Sequence, residues 1–244
     1  MNAGARAALD GAHVVVIGGS SGIGLAAAAA IKAQGGHLTL VGRSASKLEA
    51  AAQQLGGART VVADIASRTS IEASFASMTR IDHLVITAGS LHTGKLVDTD
   101  PDPLLVDLHE RLAGPLYSIK AALPWLHARS SIVLTGGQYA DRPPSSGAAI
   151  VAAAVSGVEA LARALALELK PIRVNVVAPG LVDTPLFDVF GQETRSAIFK
   201  QAADSLPVGR AGRPEEIAEA ISFLMSNGYV TGEVLHVDGG GRLV

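Results

Sequence analysis

The stretch HVVVIGGSSGIG, residues 13–24, decides the fold of this chain. It joins an apolar, β-branched run to a loop of four glycines and two serines, and an alanine-rich segment follows. The apolar run predicts a buried strand, and residues 25–34 predict a helix that ends at two glycines. Glycines let the backbone approach a ligand closely, and the start of a helix offers free N–H groups to an anion. The pattern is therefore typical of a turn that binds the pyrophosphate of a dinucleotide.

The same alternation of strand and helix continues to the carboxyl end of the chain. Parallel strands joined through helices require right-handed crossovers and a sheet that is covered on both faces. No repeat or linker divides residues 1–244, so the sequence predicts one doubly wound α/β domain of the Rossmann type. The predicted strands are 13–17, 37–41, 60–63, 83–87, 132–135, 173–177 and 234–237. The predicted helices are 25–34, 44–55, 67–78, 103–127, 145–169 and 214–225.

Composition limits the classes of function. Apolar residues make up 48% of the chain and charged residues 17%, which suits a large core and excludes a disordered chain. The formal net charge of −2 offers no basic excess to a nucleic acid. Because the chain has no cysteine, disulfides, zinc–thiolate sites and thiol nucleophiles are excluded. The histidines show no metal-ligand spacing, and a reducing cytoplasm is the expected location.

No segment is expected to enter a membrane. Residues 1–10 lack the apolar region of a signal peptide and are expected to form a short frayed lead-in. Residues 11–31 contain no Lys, Arg, Asp or Glu and are long enough to cross a bilayer. Their central glycines and serines predict a strand, a loop and a helix instead.

The glycine turn also fits a second chemistry. Residues 18–22 match G-x-S-x-G, the nucleophile elbow of α/β-hydrolases, and Asp183 and His236 follow Ser20 in the order Ser–Asp–His. Only 17 residues precede the turn, too few for the strand and loop that would supply an oxyanion hole. A serine hydrolase is therefore a remote alternative, as is a glycine turn that binds no ligand.

The end of the second predicted strand indicates which dinucleotide would bind. A site for NAD usually carries an acid about 20 residues beyond the glycines, where it binds the ribose hydroxyls. Here the sequence at 41–44 is VGRS, with Arg43 and no acid. A guanidinium pairs well with a 2′-phosphate. NADP(H) is therefore favoured over NAD, unless Arg43 is only a solvated surface charge.

Several motifs, in the same order along almost the whole chain, resemble the short-chain dehydrogenase/reductase family. The family's T-G-x-x-x-G-x-G matches residues 17–24 with Ile17 in place of threonine, and its N-N-A-G matches 86–89 without either asparagine. The run IRVNVVAPG at 172–180 is similar to the family's sixth strand and Pro-Gly turn, as are TGE at 231–233 and VDGG at 237–240.

The resemblance implies roles for single residues in binding NADP(H). Asp64 matches the aspartate that contacts adenine, and Thr184 matches the threonine that holds the nicotinamide carboxamide. The cofactor-binding residues implied by the motifs together are Gly18, Ser20, Ser21, Gly22, Ile23, Gly24, Arg43, Ser44, Asp64, Ile65, Thr87, Ala88, Gly89, Pro179, Gly180, Val182 and Thr184.

The chain departs from the family at the catalytic positions. The family uses a tyrosine that exchanges a proton with the substrate oxygen and a lysine that lowers the pKa of that tyrosine and holds the nicotinamide ribose. It adds a serine that orients the carbonyl, and an asparagine. These four positions fall at Val151, Val155, Gly137 or Gln138, and Arg111, so none of the four groups is retained.

Three other side chains are candidates for the missing chemistry. Tyr139 is the first, because it follows the fifth predicted strand at the edge where such sheets bind ligands; the alternative is a tyrosine that only packs its ring. His92, after the Ala-Gly turn, could reach the nicotinamide or be a solvated loop histidine. Arg111 could orient a substrate anion or form an ion pair, for example with Asp107.

Two further segments carry expectations about assembly and access. Residues 147–158 contain no charge and consist mostly of small side chains, so the helix at 145–169 is predicted to pack against another copy in a homodimer or homotetramer. The alternative is burial within one subunit. Residues 181–207 are predicted to be a mobile lid over the substrate.

The sequence therefore predicts an NADP(H)-dependent oxidoreductase. It would transfer hydride between the nicotinamide and a small carbonyl compound or alcohol, or an imine, with a non-standard proton donor. Because all four catalytic groups are missing, a catalytically inactive NADP(H)-binding protein, acting as a sensor or assembly partner, is the alternative.

Overall fold

A computed structural model describes residues 9–244, so most of the predicted lead-in, residues 1–8, lies outside the described residues. Within the described part, the centre of the molecule is a sheet of seven parallel strands. They are β1 (His13–Ile17), β2 (His37–Gly42), β3 (Arg59–Val62), β4 (Ile81–Ile86), β5 (Leu126–Thr135), β6 (Arg173–Pro179) and β7 (Val234–Val237). Their order is β3-β2-β1-β4-β5-β6-β7. The predicted fold class, a doubly wound parallel sheet of the Rossmann type, is confirmed.

Helices cover both faces of this sheet. They are α1 (Gly22–Ala33), α2 (Ala45–Gln54), α3 (Arg68–Phe75), α4 (Pro101–Leu108), α5 (Gly114–Ala122), α6 (Ala149–Glu168), α7 (Gly191–Ser205) and α8 (Pro214–Ser226). Successive strand residues point to opposite faces. Val14 and Val16 are therefore buried with α1, α2 and α8, whereas Val15 and Ile17 are buried with α3, α5 and α6.

The predicted helix at 103–127 is wrong in its detail. The chain is helical from α4 to α5, but the two are joined by a π-helical turn, His109–Ala113, which ends two residues before Pro115. Proline has no N–H to donate to the preceding turn, so a wider turn at this point is favourable. The strand β5 then begins at Leu126, which pairs with Ile81, and regular pairing with β4 resumes at Ser131 opposite His83 after an irregular stretch. These pairs with β4 outweigh the local polarity of His127, Arg129 and Ser130.

Among the described residues, one helix, α6, is long and apolar enough to cross a membrane. Its mean hydropathy is 1.8. Its Val158, Ala162 and Leu165 side chains are buried against the sheet, which is typical of a core helix. The uncharged residues 11–31 form β1, the glycine turn and most of α1, as their central glycines and serines predict.

The segment 181–207, predicted as a mobile lid, contains regular structure. It begins with a short bridge between Val182 and Gly212, continues as a 3₁₀ turn at Pro185–Phe190 and ends in α7. The structure therefore places helices, rather than an irregular loop, beside the carboxyl edge of the sheet.

Candidate functional site

A cleft of about 720 Å³ opens where β1, β4, β5 and β6 end. The strand order reverses between β1 and β4, because the chain leaves β1 first toward β2 and β3 and later toward β4. In open α/β sheets this is the place where ligands bind.

The glycine turn between β1 and α1 forms one wall of the cleft. Gly18 has a φ of +89°, and a Cβ on Gly24 would lie 2.1 Å from the carbonyl oxygen of Gly18, so neither position accepts a side chain without rearrangement. Ser21 precedes α1 and makes no capping hydrogen bond through its side chain. Residues 22–24 line the cleft, so the N–H groups of the first helical turn are available to an anion there.

Two cations lie on the β2 side of the cleft. Arg43 has a side chain that is 64% exposed, and its Nη1 lies 3.3 Å from Oε1 of Glu110. Ser44 caps α2 by accepting a hydrogen bond from the N–H of Lys47 at 3.3 Å. Lys47 lines the same cleft, although it is not among the predicted cofactor-binding residues. Its position in the first turn of a helix, where the dipole disfavours a cation, was the available signal.

The cleft brings together almost all the predicted cofactor-binding residues. Those that line it are Gly18, Ser20, Ser21, Gly22, Ile23, Gly24, Arg43, Ser44, Ile65, Thr87, Ala88, Gly89, Pro179, Gly180, Val182 and Thr184. Asp64 does not line it. The Oδ1 atom of Asp64 accepts a hydrogen bond from the N–H of Ala66 at 3.0 Å, in the turn before α3.

The β5 side of the cleft is apolar. Val151 and Val155, at the positions where the resemblance implies tyrosine and lysine, are buried together with Leu91. Tyr139 and Phe187 pack against these three side chains and also line the cleft. We call these five residues the apolar wall. Burial raises the pKa of the Tyr139 hydroxyl, so this group holds its proton more tightly than a free tyrosine.

Charged side chains from α4 and the following π turn hold the loop after β4. Oε2 of Glu110 accepts a hydrogen bond from the N–H of Ser90 at 2.7 Å. Arg111 donates to the carbonyl of Ser90 from Nε at 3.2 Å and from Nη2 at 2.5 Å. Burial lowers the pKa of Arg111, while Asp107 and Glu110 act in the opposite direction. The loop backbone is therefore fixed at Ser90 from both its N–H and its carbonyl.

Asp107 holds the same loop two residues further on. It is fully buried, its Oδ2 accepts a hydrogen bond from the N–H of His92 at 2.7 Å, and its Oδ1 lies 2.6 Å from Nδ1 of the His92 ring. The sequence offered Asp107 as an ion-pair partner for Arg111, whereas the structure pairs it with His92. His92, Arg111 and Tyr139, the three candidates for the missing chemistry, all line the cleft.

The alternative hydrolase triad is not assembled. Nε2 of His236 lies 2.8 Å from Oδ2 of Asp141, and Asp183 forms an ion pair with Arg195. Asp183 and His236 therefore each bind another partner, and the triad of this remote alternative is not formed around Ser20.

Comparisons with known proteins extend over nearly the whole chain. A family model described as enoyl-(acyl carrier protein) reductase matches residues 17–241. The 3-oxoacyl-(acyl-carrier-protein) reductase of Homo sapiens is 33% identical, over 94% of this chain and 97% of that protein. A solved small-chain dehydrogenase in complex with NADPH superposes with a TM-score of 0.84 at 30% identity, over 96% of this chain and 100% of its own.

A second solved structure is similar over nearly the same length. It is an NADPH-bound short chain oxidoreductase from Pseudomonas aeruginosa that contains an atypical catalytic center. It superposes with a TM-score of 0.86 at 29% identity, over 95% of this chain and 98% of its own. Sheet order, the glycine turn and these matches all agree, and the chain belongs to the short-chain dehydrogenase/reductase family of oxidoreductases.

Proposed function

We propose that this protein is an NADP(H)-dependent oxidoreductase that reduces the carbonyl group of an apolar small molecule, or an imine, or that runs the reverse oxidation. The observation that carries the proposal is the continuity of one cleft. The same cleft contains the glycine turn, the cations on the β2 side and the apolar wall on the β5 side.

The residues of the cleft fit NADP(H). The glycines leave room for the backbone N–H groups of α1 to contact a pyrophosphate. Arg43 and Lys47 supply positive charge where a 2′-phosphate would lie, at the position where an NAD site carries an acid. Thr184 lies beside the turn, and a Cβ added to Gly22 would be 3.3 Å from the Thr184 side chain. When bound, the nicotinamide supplies the hydride.

The apolar wall favours an apolar substrate. Valine in place of tyrosine and lysine removes two polar groups from the wall, and Phe187 adds an aromatic surface. An apolar wall excludes water from the reacting carbon and strengthens the remaining electrostatic contacts. Phe187 belongs to the 3₁₀ turn that opens the segment 181–207. We propose that this segment acts as the lid over the substrate.

One observation favours a second function. Val151 and Val155 occupy the two positions at which the resemblance implies the tyrosine and lysine of proton transfer, and neither valine carries a group that exchanges a proton. A protein with this wall could bind NADP(H) without turnover and act as a sensor or assembly partner.

Two measurements separate these functions. The first titrates NADPH fluorescence against the protein, with NADH as the comparison, and we expect tighter binding of NADPH. The second follows NADPH oxidation with a panel of aliphatic ketones, aromatic ketones and cyclic imines. Turnover of apolar members supports the oxidoreductase. Binding without turnover supports the second function, and failure to bind either nucleotide contradicts both.

A further inference from the structure

The loop after β4 presents the His92 imidazole in one fixed orientation. A buried carboxylate accepts hydrogen bonds and does not donate them. Since Oδ1 of Asp107 lies 2.6 Å from Nδ1 of His92, the ring proton belongs on Nδ1. Nε2 is then the nitrogen that can gain and lose a proton. It makes no hydrogen bond to any residue in the described range 9–244, and 44% of the side chain is exposed.

Hydrogen bonds also fix the backbone of the loop that carries this ring. Asp107, Glu110 and Arg111 have the spacing i, i+3, i+4, which places them on one face of a helical segment. Together they bind Ser90 and His92 through backbone and side-chain atoms. Within residues 9–244 these are the charged side chains that hydrogen-bond to the loop at residues 90–92. Such support is typical of a group that must be oriented before the reaction.

His92 lies at the substrate end of the cleft. The residue before it, Leu91, is 8% exposed and packs against Val151 and Val155, the positions at which the resemblance implies tyrosine and lysine. An imidazole that follows Leu91 and lines the cleft is therefore near the place where the family's proton donor would stand.

Tyr139 is less suited to the same task. Burial raises the pKa of its hydroxyl, and valine occupies the position of the lysine that would lower it. A tyrosine in this setting is a weaker acid than a free one, whereas an imidazolium donates a proton readily near neutral pH.

We propose that His92 is the proton donor of this enzyme and that Asp107 is the positioning residue that fixes its tautomer and orientation. The inference rests on the proposed function. In the direction of reduction, the carbonyl carbon gains the hydride and the carbonyl oxygen gains the proton from Nε2 of the His92 imidazolium. The alcohol leaves, and the neutral imidazole recovers a proton from water. In oxidation, neutral Nε2 accepts the hydroxyl proton.

The kinetic test uses the full chain with NADPH and a ketone that the panel identifies. His92→Gln is expected to lower kcat by about 10²–10⁴-fold with little change in NADPH affinity. Wild-type kcat for reduction falls as the pH rises and the imidazolium is lost, and this dependence disappears in His92→Gln. Asp107→Asn is expected to lower kcat by at least about 10-fold, because it disturbs the tautomer. Tyr139→Phe is expected to retain the pH dependence.

Two matched variants control for folding and surface charge. His37→Gln changes an exposed histidine at the start of β2, and Asp102→Asn changes an exposed aspartate on the same helix as Asp107. Both are expected to keep the wild-type kcat and pH dependence.

A second readout does not depend on turnover. Nitrogen NMR of ¹⁵N-histidine-labelled protein with NADPH bound is expected to show the Nδ1–H tautomer for His92, and Asp107→Asn is expected to change it. An Nε2–H tautomer in the wild type overturns the positioning role. A wild-type kcat in His92→Gln, or loss of the pH dependence in Tyr139→Phe alone, overturns the donor role. Failure to bind NADPH is a separate result that contradicts the proposed function itself.

Discussion

Glu110 connects the two sides of the cleft through single atoms. Its Oε1 lies 3.3 Å from Arg43 on the β2 side, and its Oε2 accepts the N–H of Ser90 in the loop that carries His92. The carboxylate is buried, but Arg43 is mostly exposed, so their ion pair contributes little to stability. The exposed guanidinium of Arg43 can turn toward a phosphate, while Glu110 keeps its hydrogen bond from the N–H of Ser90.

Arg43→Ala is expected to weaken NADPH binding and to leave NADH binding unchanged. A charge-assisted hydrogen bond contributes about 1.5–3 kcal/mol, so the Kd for NADPH should rise about 10–100-fold. Fluorescence titration with both nucleotides measures the difference. Arg68→Ala removes another exposed arginine, one paired with Glu72 on α3, and should change neither Kd. An equal loss of both nucleotides in Arg43→Ala would show that the guanidinium does not select the 2′-phosphate.

At this scale the sequence predicted the residues whose place is set by local motifs. The glycine turn and the ends of β4 and β6 lie where the motifs place them, along the cleft. The sequence did not predict the partners of those residues, because the contacts join residues that are far apart in the chain. Arg43 and Glu110 are 67 positions apart, and Asp107 and His92 are 15 apart on different elements. No local pattern encodes which of the carboxylates in α4 reaches which loop.

Among the elements, the turn from β1 to α1 leaves no room for an added side chain at Gly24. A Cβ on Gly24 would overlap the carbonyl oxygen of Gly18 at 2.1 Å, so Gly24→Ala must move the turn or the helix. We expect a loss of at least about 1–3 kcal/mol in the free energy of unfolding, measured in urea, together with loss of NADPH binding. Gly228→Ala has nothing within 4 Å of the added carbon and should cost less than about 0.5 kcal/mol. Equal effects of the two variants would contradict this account of the turn.

The strand β4 makes stability depend on pH. His83 is buried with Nδ1 2.8 Å from Oγ of Ser131, and burial is the main cause that lowers its pKa from 6.5 to about 4. As the pH falls below 6.5, the unfolded chain takes up the proton first. The stability present above pH 6.5 is therefore lost down to about pH 4, by about 3 kcal/mol at most.

Urea unfolding at pH 7.5, 6, 5 and 4 measures this loss. His83→Gln should flatten the curve between pH 6.5 and 4, although it lowers stability at neutral pH. His37→Gln, at an exposed site, should leave the wild-type slope intact. An unchanged slope in His83→Gln would assign the acid sensitivity to other groups.

The elements themselves were predictable where periodicity and glycines agree. The β-branched runs gave every strand of the sheet, and glycines closed α1 and α2. The predicted ends of strands and helices were wrong where contacts with other elements determine them. The strand β5 begins at Leu126, before its apolar run, because Leu126 and Ser131 pair with Ile81 and His83 of β4 on either side of an irregular stretch. Residues 191–205, predicted only as part of a lid, form α7.

The whole molecule leaves a stripe of small residues on α6 open to solvent. Ala153, Ser156 and Ala160 are exposed at helical spacing, and Leu167 at the end of the same stripe is 75% exposed. The opposite side of the helix is buried in the core. If α6 associates with another copy as predicted, this outer stripe is the part of the helix that makes the contact. Its small side chains allow two helices to approach closely.

We expect light scattering to give the wild type a mass that is a multiple of 24.8 kDa. Ala160→Glu places a charge in the centre of the stripe without touching the core, so it should lower that mass and leave the circular dichroism spectrum unchanged. Ala50→Glu adds the same charge to an exposed position of α2 and should leave the mass unchanged. A monomeric wild type, or an Ala160→Glu variant with the wild-type mass, would contradict association through α6. In either case the stripe would be only the solvent face of a core helix.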